Sequence, residues 1–432
     1  MELKGAGAEG ILWNRQAYSV FILLFLLYMF NFMDRLVVVS LFPFLKADWG
    51  LSDTQCGLLV STVYWSIVVF TIPVSILVDR ISRKKCIGTM SIVWSFATIA
   101  CSFTVNFTQL FMARTLIGVG EAGYAPGGTA MISALFSEKK RSFLIGLWNA
   151  AIPIGSAVGV ALGSIIAVRY GWRYAFTLVA LPGLIIALLF FFIKDYKTIE
   201  LVKSVKDDNN STSNQKKMDK KEIIKEFIET PTLLFTYLGF AGNTFLTTVL
   251  LSWLPTYFNR FQNMPIQQAS FKASTIFLTA IIGAPLGGFL ADLWMKKRLN
   301  ARLLFCAFSS ILTSAVFFFG FRYCSGAVQY YTLLFGGLCS ILFVSGASAV
   351  TQDVVHPGLR ATSFSLCIIM SNLLGSSLGP LIVGALSDKY DIQTALSIAS
   401  LSPLLACVLF LIGSRYYEKD LAKVEKIVIA VE

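Results

Sequence analysis

"NFMDRLVVV", residues 31–39, lies inside one apolar run from Ala17 to Leu45, and Asp34 and Arg35 fall near its middle. No charged residue precedes the pair within that run. A charge at the centre of a membrane helix costs about 2.5–3.5 kcal/mol on insertion scales. If the run spans a membrane, both charges need partners or a task.

The rest of the chain supports the membrane reading. Of 432 residues, 56% are hydrophobic and 14% charged. Runs of about 20 apolar residues occur at roughly 17–45, 55–78, 86–105, 107–132, 141–167, 173–194, 231–258, 271–295, 301–322, 328–351, 360–386 and 393–415. Little sequence is left for a soluble domain. The expectation is an all-α membrane protein with twelve transmembrane helices. The formal charge of +12 sits mostly in the two termini and the loops on their side, which makes both termini cytoplasmic by the positive-inside rule. The basic excess is therefore a topology signal and not a nucleic-acid patch. The eight cysteines are scattered through the spans without C-x-x-C or metal-ligand spacing. They read as small apolar fillers, and no metal is expected. Sequons at Asn106 and Asn210 fall in a tight loop and on the cytoplasmic side, so neither is expected to carry glycan.

Between Lys194 and Glu226 the apolar pattern stops at "KSVKDDNNSTSNQKKMDKKEIIKE", a polar segment poor in aromatics, as a flexible linker should be. It divides the chain into residues 1–194, a cytoplasmic linker 195–226, and residues 227–432, with six predicted spans in each outer part. The two parts share features. After the second span comes "SILVDRISRKK" (75–85), and after the eighth "GFLADLWMKKR" (288–298). Each places a small residue four before an aspartate, Ser75/Asp79 and Gly288/Asp292, followed by a basic cluster. The fifth span carries Gly155, Gly159 and Gly163, and the eleventh Gly375, Gly379 and Gly384. Small residues four apart let membrane helices approach closely. Paired matches at a separation of about half the chain indicate two pseudo-symmetric six-helix bundles.

A duplicated bundle with a D-R-x-[GS]-R-K loop after span two resembles the major facilitator superfamily over essentially the whole chain. Ser75 and Ser82 stand where that loop usually carries glycine. Within the superfamily, "NFMDR", "RTLIGVGEAGY", "YGWRYAF" and "QDVVHPGLRATSFSLCIIMSNLLGSSLGPLIVGALSD" look like the Spinster branch in its bacterial form. A related branch of organic-anion/proton symporters also carries D-R in span one and R-x6-E in span four. The resemblance implies the major facilitator fold and a bacterial inner-membrane location.

In span four, Arg114 and Glu121 lie nearly two helical turns apart on one face, about 10 Å along the axis. Gly118 between them is expected to leave room for water or a ligand. Counting residues from the ends of spans one and four puts Asp34, Arg35 and Arg114 at comparable depth, with Glu121 slightly nearer the cytoplasm. The four charges are expected to converge, formally neutral together. A salt-bridge cluster that only fixes packing is one reading, but buried pairs are weak stabilisers and intramembrane charges usually mark ion or substrate paths. The other reading is proton coupling: a carboxylate can lose its partner and take up a proton, whereas arginine keeps its charge. The Spinster resemblance implies proton coupling at Asp34 and Glu121, and charge pairing with head-group contact at Arg35 and Arg114.

Polar residues elsewhere are candidates for the pocket wall: Asn31, Asn149, Asn243, Trp253, Tyr257, Ser345, Gln352 and Asn372. The second half offers no charges equivalent to those of the first, so the expected pocket is polar on one wall and apolar on the other, as suits an amphiphile. Asp79, Arg80, Arg83, Lys84 and Asp292 sit at the cytoplasmic boundary, where a carboxylate can hold basic groups or a helix N-terminus in one state and release them in another. They are the candidate cytoplasmic gate.

No P-loop, selectivity filter or catalytic constellation is found, so the chain is not expected to be an enzyme. The leading function is a monomeric secondary transporter working by alternating access, driven by protons, with no other cofactor. The resemblances imply lysophospholipids or sphingoid amphiphiles on one side and small carboxylates such as sugar acids on the other. A non-transporting membrane receptor is the rival.

Overall fold

The computed structural model describes residues 6–80, 83–136, 138–193, 226–356 and 359–424; the side chains at 6–16, 72, 75–80, 83, 134, 138–139, 141–142 and 361 are outside the description. The linker expected at 195–226 falls outside it apart from Glu226.

The first part contains α1 (Ala6–Leu36), α2 (Phe42–Trp49), α3 (Asp53–Arg80), α4 (Arg83–Cys101), α5 (Phe107–Glu121), α6 (Tyr124–Leu135), α7 (Glu138–Asn149), α8 (Ala151–Tyr170) and α9 (Trp172–Phe190). The second contains α10 (Pro231–Arg260), α11 (Ile266–Leu278), α12 (Ala280–Met295), α13 (Ala301–Arg322), α14 (Gly326–Cys339), α15 (Phe343–Asp353), α16 (Arg360–Met370), α17 (Leu378–Lys389), α18 (Ile392–Ala399) and α19 (Ser402–Lys423). The boundaries follow local chemistry. Asn106 caps α5 by accepting the Gln109 N–H at 2.9 Å, and Asp391 caps α18 through the Thr394 N–H at 2.8 Å, each satisfying a first-turn donor. Gly50 ends α2 with φ +63°, a left-handed conformation glycine adopts without a Cβ penalty.

Ten helical segments among the described residues are long and apolar enough to cross a membrane, against twelve expected. The two remaining predicted spans are helical but fail on composition or continuity. α4 opens on Arg83, Lys84 and Lys85, and the fourth span is broken after Glu121 into α5 and α6, of 15 and 12 residues.

Lys46, at the end of the first span, and Arg260, at the end of α10, both bind Asp53, so these two spans finish on the same face. Near the C-terminus, Asp420 accepts the Thr232 N–H at the start of α10, and Lys140, opening the fifth span, donates to Tyr18 early in α1. The described chain ends therefore share the face opposite Asp53. The glycine rows form matching seams. Cβ atoms at Gly155 and Gly159 would overlap the α1 backbone at Met29 and Met33, and Cβ atoms at Gly375 and Gly379 would crowd α10 at Ala241 and Phe245.

This close approach makes a prediction with an internal control. Gly155→Ala should cost about 1–3 kcal/mol of stability, as overpacking typically does, and so lower the melting temperature in detergent. Gly146→Ala, where a Cβ meets nothing within 4 Å, should not lower it. Equal melting of the two variants would remove the seam from the account.

Candidate functional site

Arg35 occupies the last turn of α1, where the chain enters a 3-10 turn over Val37–Leu41. Its Nε and Nη2 both donate to Glu121 Oε2, at 3.1 and 2.6 Å, and Nη2 also donates to Asn31 Oδ1 at 3.2 Å. The guanidinium carbon lies 4.6 Å from the Phe32 ring centroid and 5.1 Å from that of Tyr64, so aromatic faces add cation–π attraction to the ion pair. Glu121 ends α5 and is 4% exposed.

Arg114, fully buried on the same helix, bonds to backbone instead of a carboxylate. Its Nε donates to Leu59 O at 2.5 Å and its Nη2 to Arg35 O at 2.8 Å. Arg114 Nη1 and both Asp34 carboxylate oxygens are buried and meet no hydrogen-bond partner among the described residues. Of the four expected charges, the structure joins Arg35 to Glu121, sets Arg114 on two carbonyls, and leaves Asp34 without a donor. Neighbouring helical residues point about 100° apart, which is why Asp34 does not share the environment of Arg35. Gly118 also differs from expectation: it leaves no space for a ligand. A Cβ there would overlap Val63 O and Ser66 Cβ, so it seats α3.

Toward the face of the termini lies an aromatic group that sequence reasoning missed. The Tyr28 and Trp148 rings stack at 4.1 Å, and Trp94 meets Tyr124 edge-on at 5.2 Å. Tyr124 and Trp148 both donate to Leu24 O, at 2.5 and 3.3 Å. Tyr124 follows directly on the break after Glu121, so the helix interruption places an aromatic floor beside the charges. The break itself, "EAGY", was the available signal.

The proposed pocket wall divides. Asn31 is committed to Arg35. Asn243 donates to Ser310 Oγ at 2.9 Å and Trp253 Nε1 to Pro380 O at 3.1 Å, while Gln329 donates to Tyr257 Oη at 2.8 Å. All three side chains are buried, each with a hydrogen-bond partner in its own half. Ser345 and Gln352 return their donors to Ala284 O and Ser348 O. Asn149 is exposed, and Asn372 is half-buried on a π-helical turn, Ser371–Ser376, between α16 and α17.

At the boundary motif, Asp79 and Arg80 end α3 and Arg83 begins α4, with their side chains outside the described residues. Lys84 is half-buried. Asp292 is exposed and held by Arg302 at 2.9 Å; Arg302 also binds Asp353 at 2.6 Å, and Tyr417 donates to Asp353 at 3.0 Å. Among the described residues, its partner thus comes from its own half. Arg302 and Asp353 were missed because boundary charges look alike in sequence.

Ten membrane-length helical segments among the described residues, with a glycine seam inside each half and a buried ion pair in the first, have a counterpart among known families. Residues 24–380 match the model of the Major Facilitator Superfamily. The chain belongs to that superfamily. It is a multi-pass secondary transporter and not an enzyme. It is similar to protein spinster homolog 1 of Xenopus laevis, at 28% identity over 96% of this chain and 84% of that protein. The hexuronate transporter of Bacillus subtilis (strain 168) is 26% identical over 88% of this chain and 90% of that protein. A crystal structure of a bacterial homolog to the human lysosomal transporter Spinster, inward-facing and unoccupied, shares the fold at TM-score 0.81. It is 20% identical, with 94% of this chain and 98% of that chain covered.

The ion pair predicts an asymmetry between two substitutions in this superfamily member. Glu121→Leu strands the Arg35 guanidinium in a buried setting and should cost about 3–5 kcal/mol. Glu121→Gln keeps an oxygen acceptor and should melt closer to the parent protein. Denaturation in detergent measures both, and equal losses would show that the pair does not hold the site.

Proposed function

We propose that the protein is a proton-coupled transporter of an anionic or amphiphilic solute, with Asp34 as the proton carrier. The observation that carries this reading is the donor-free, fully buried Asp34 carboxylate. An ionised carboxylate is costly in such a setting and a neutral acid far less so. On deprotonation Asp34 requires a cation, and Arg114 has an unused donor in Nη1. Drawing Arg114 toward Asp34 competes with its bonds to Leu59 O and Arg35 O, which brace the 3-10 turn after Arg35. Proton loss thereby loosens the point where the first span changes helical form.

Arg35 is the proposed head-group contact, exchanging Glu121 for a substrate anion; Glu121, released, is then free to take up a proton. The flanking Phe32, Tyr64 and Tyr28 rings suit an apolar chain, and the likeness to spinster proteins supports a lysophospholipid or sphingoid substrate. The likeness to a hexuronate transporter supports the alternative, a small carboxylate held by the same arginines. In this reading residues 1–194 and 227–432 are rocking bundles joined by the 195–226 linker, with both termini cytoplasmic in a bacterial inner membrane and a monomer as the working unit. Asp79, Arg80, Arg83, Lys84 and Asp292 then form the cytoplasmic gate. Asn149, Ser345, Gln352 and Asn372, the proposed wall residues that keep free surface, then face the pathway.

Reconstituted vesicles test the proposal. A panel of lysophospholipids, sphingoid bases and hexuronates is first screened by thermal stabilisation, and the stabilising compound is then used for uptake. Asp34→Asn should abolish accumulation driven by a pH gradient while leaving exchange of substrate across the membrane measurable. Accumulation equal to the parent, with the same pH dependence, would remove Asp34 from coupling.

A further inference from the structure

Between described residues, the hydrogen bonds that cross from α1–α9 to α10–α19 gather at two places. One is a single bond at mid-depth, from Ser274 Oγ to Ala157 O at 2.8 Å. The other is a dense cluster at the face opposite the chain termini, centred on Asp53 and Asp388. Asp388, at the end of α17, accepts the backbone N–H groups of Asp53 and Thr54 and the Thr54 hydroxyl, each at 2.7 Å. Asp53 in turn accepts two bonds from Arg260, at 2.6 and 2.7 Å, one from Ser387 Oγ at 2.7 Å and one from Lys46 at 2.5 Å.

The first turn of α3 explains why this contact is specific. A helix start leaves its first N–H groups without internal partners. Ser52 and Gln55 form a reciprocal capping box: Ser52 Oγ accepts the Gln55 N–H at 3.1 Å, and Gln55 Oε1 accepts the Ser52 N–H at 3.0 Å. That arrangement leaves the N–H groups of Asp53 and Thr54 over. Asp388, from the other half of the chain, takes both, and its negative charge meets the positive end of a long helix. The backbones are also shaped for contact. A Cβ at Gly57 would overlap Pro380 O, and one at Gly384 would overlap Asp53 O.

We infer that Asp388 and Asp53 form a clasp that holds the two halves shut on the face opposite the termini, and that opening on that face requires the clasp to break. A secondary transporter must part its halves on each face in turn, so a contact joining them on one face alone cannot be permanent. Its position at the helix start makes the break reversible, because water can satisfy the released N–H groups there. The inference rests on membership of the superfamily and is independent of proton coupling at Asp34.

The full-length protein in lipid nanodiscs provides the test, with Cys324→Ser as background. Spin labels at Val105 and Tyr323, both exposed in loops on the clasp face, report opening there. Labels at the exposed Lys140 and Lys297 report the face of the termini. Asp388→Ala should raise the ratio of clasp-face-open to closed molecules about tenfold, on the scale of a lost helix cap, and shorten the Lys140–Lys297 distances in step. Gly57→Ala should shift both pairs in the same direction through a steric wedge. Asp388→Asn, which keeps one acceptor, should shift them less. Distances unchanged in both alanine variants would overturn the clasp. So would a broadened Val105–Tyr323 distribution with the other pair unmoved, since that is local fraying. If Asp388→Ala does not yield folded protein, Gly57→Ala and Asp388→Asn decide the matter by the same two readouts.

Discussion

A guanidinium or carboxylate held among packed helices costs several kcal/mol unless an opposite charge and hydrogen bonds surround it. That constraint organises the centre of this protein. Arg35 meets it fully, with Glu121, Asn31 and two aromatic faces around one guanidinium. Arg114 meets it with two backbone carbonyls, which ties the ends of two different spans to a single side chain. Asp34 does not meet it as an anion. Arg35 and Glu121 thus hold each other and backbone holds Arg114, whereas Asp34 has no donor among the described residues.

The interruptions in the helices follow from the same accounting of polar groups. Straight α-helices satisfy their own backbones, so an interruption frees groups that a side chain can bind. The first span tightens into a 3-10 turn at three consecutive valines, the fourth breaks after Glu121, and the eleventh widens into a π-helical turn at Ser371–Ser376. Such irregular turns occur often at functional positions. Arg114 can bond Arg35 O because that carbonyl sits where the first span changes form. The break after Glu121 likewise sets Tyr124 against Trp94 and Leu24, so the aromatic floor and the ion pair share one cause.

The membrane class, the duplicated pattern and the four central charges were legible because each is a local departure from a simple background. A charge in an apolar run, or glycines at four-residue spacing, needs no knowledge of the rest of the chain. Partner choice was not legible. Nothing local separates Asp34 from Arg35 as paired or unpaired, and Gly118 reads as a space or as a seat for α3 with equal ease. Asp53, Arg260 and Asp388 escaped notice because loop-edge charges are what topology alone would place there. Their meaning lies in a contact across 335 positions of sequence. The partners of Asn243, Trp253 and Tyr257, namely Ser310, Pro380 and Gln329, likewise appear only in three dimensions. The count of spans blurred at the third and fourth, where lysines and a helix break weaken the apolar signal.

The 3-10 turn after Arg35 and the cluster at Asp53 are joined by a short piece of chain. Arg114 holds the carbonyl of Arg35; the 3-10 turn runs from Val37 to Leu41; α2 follows and carries Lys46, which donates to Asp53. Phe42, at the start of α2, packs its ring 5.3 Å from that of Trp253 in the other half. A rearrangement of the turn after Arg35 therefore cannot leave both Phe42 and Lys46 where they are, because five residues of 3-10 helix offer little slack. A bound ion or substrate can shift an equilibrium only by its difference in affinity for the two states. For an event at Asp34 to reach the clasp, the energy required is the difference between Lys46 and Phe42 seated and displaced. That difference comprises one charge-assisted hydrogen bond, at most about 1.5–3 kcal/mol, and one aromatic contact of about 0.5–1.5 kcal/mol. A few kcal/mol moves a two-state equilibrium by one to several orders of magnitude. A connection of that size is enough to link the middle of the first span to its end and small enough to be reversible.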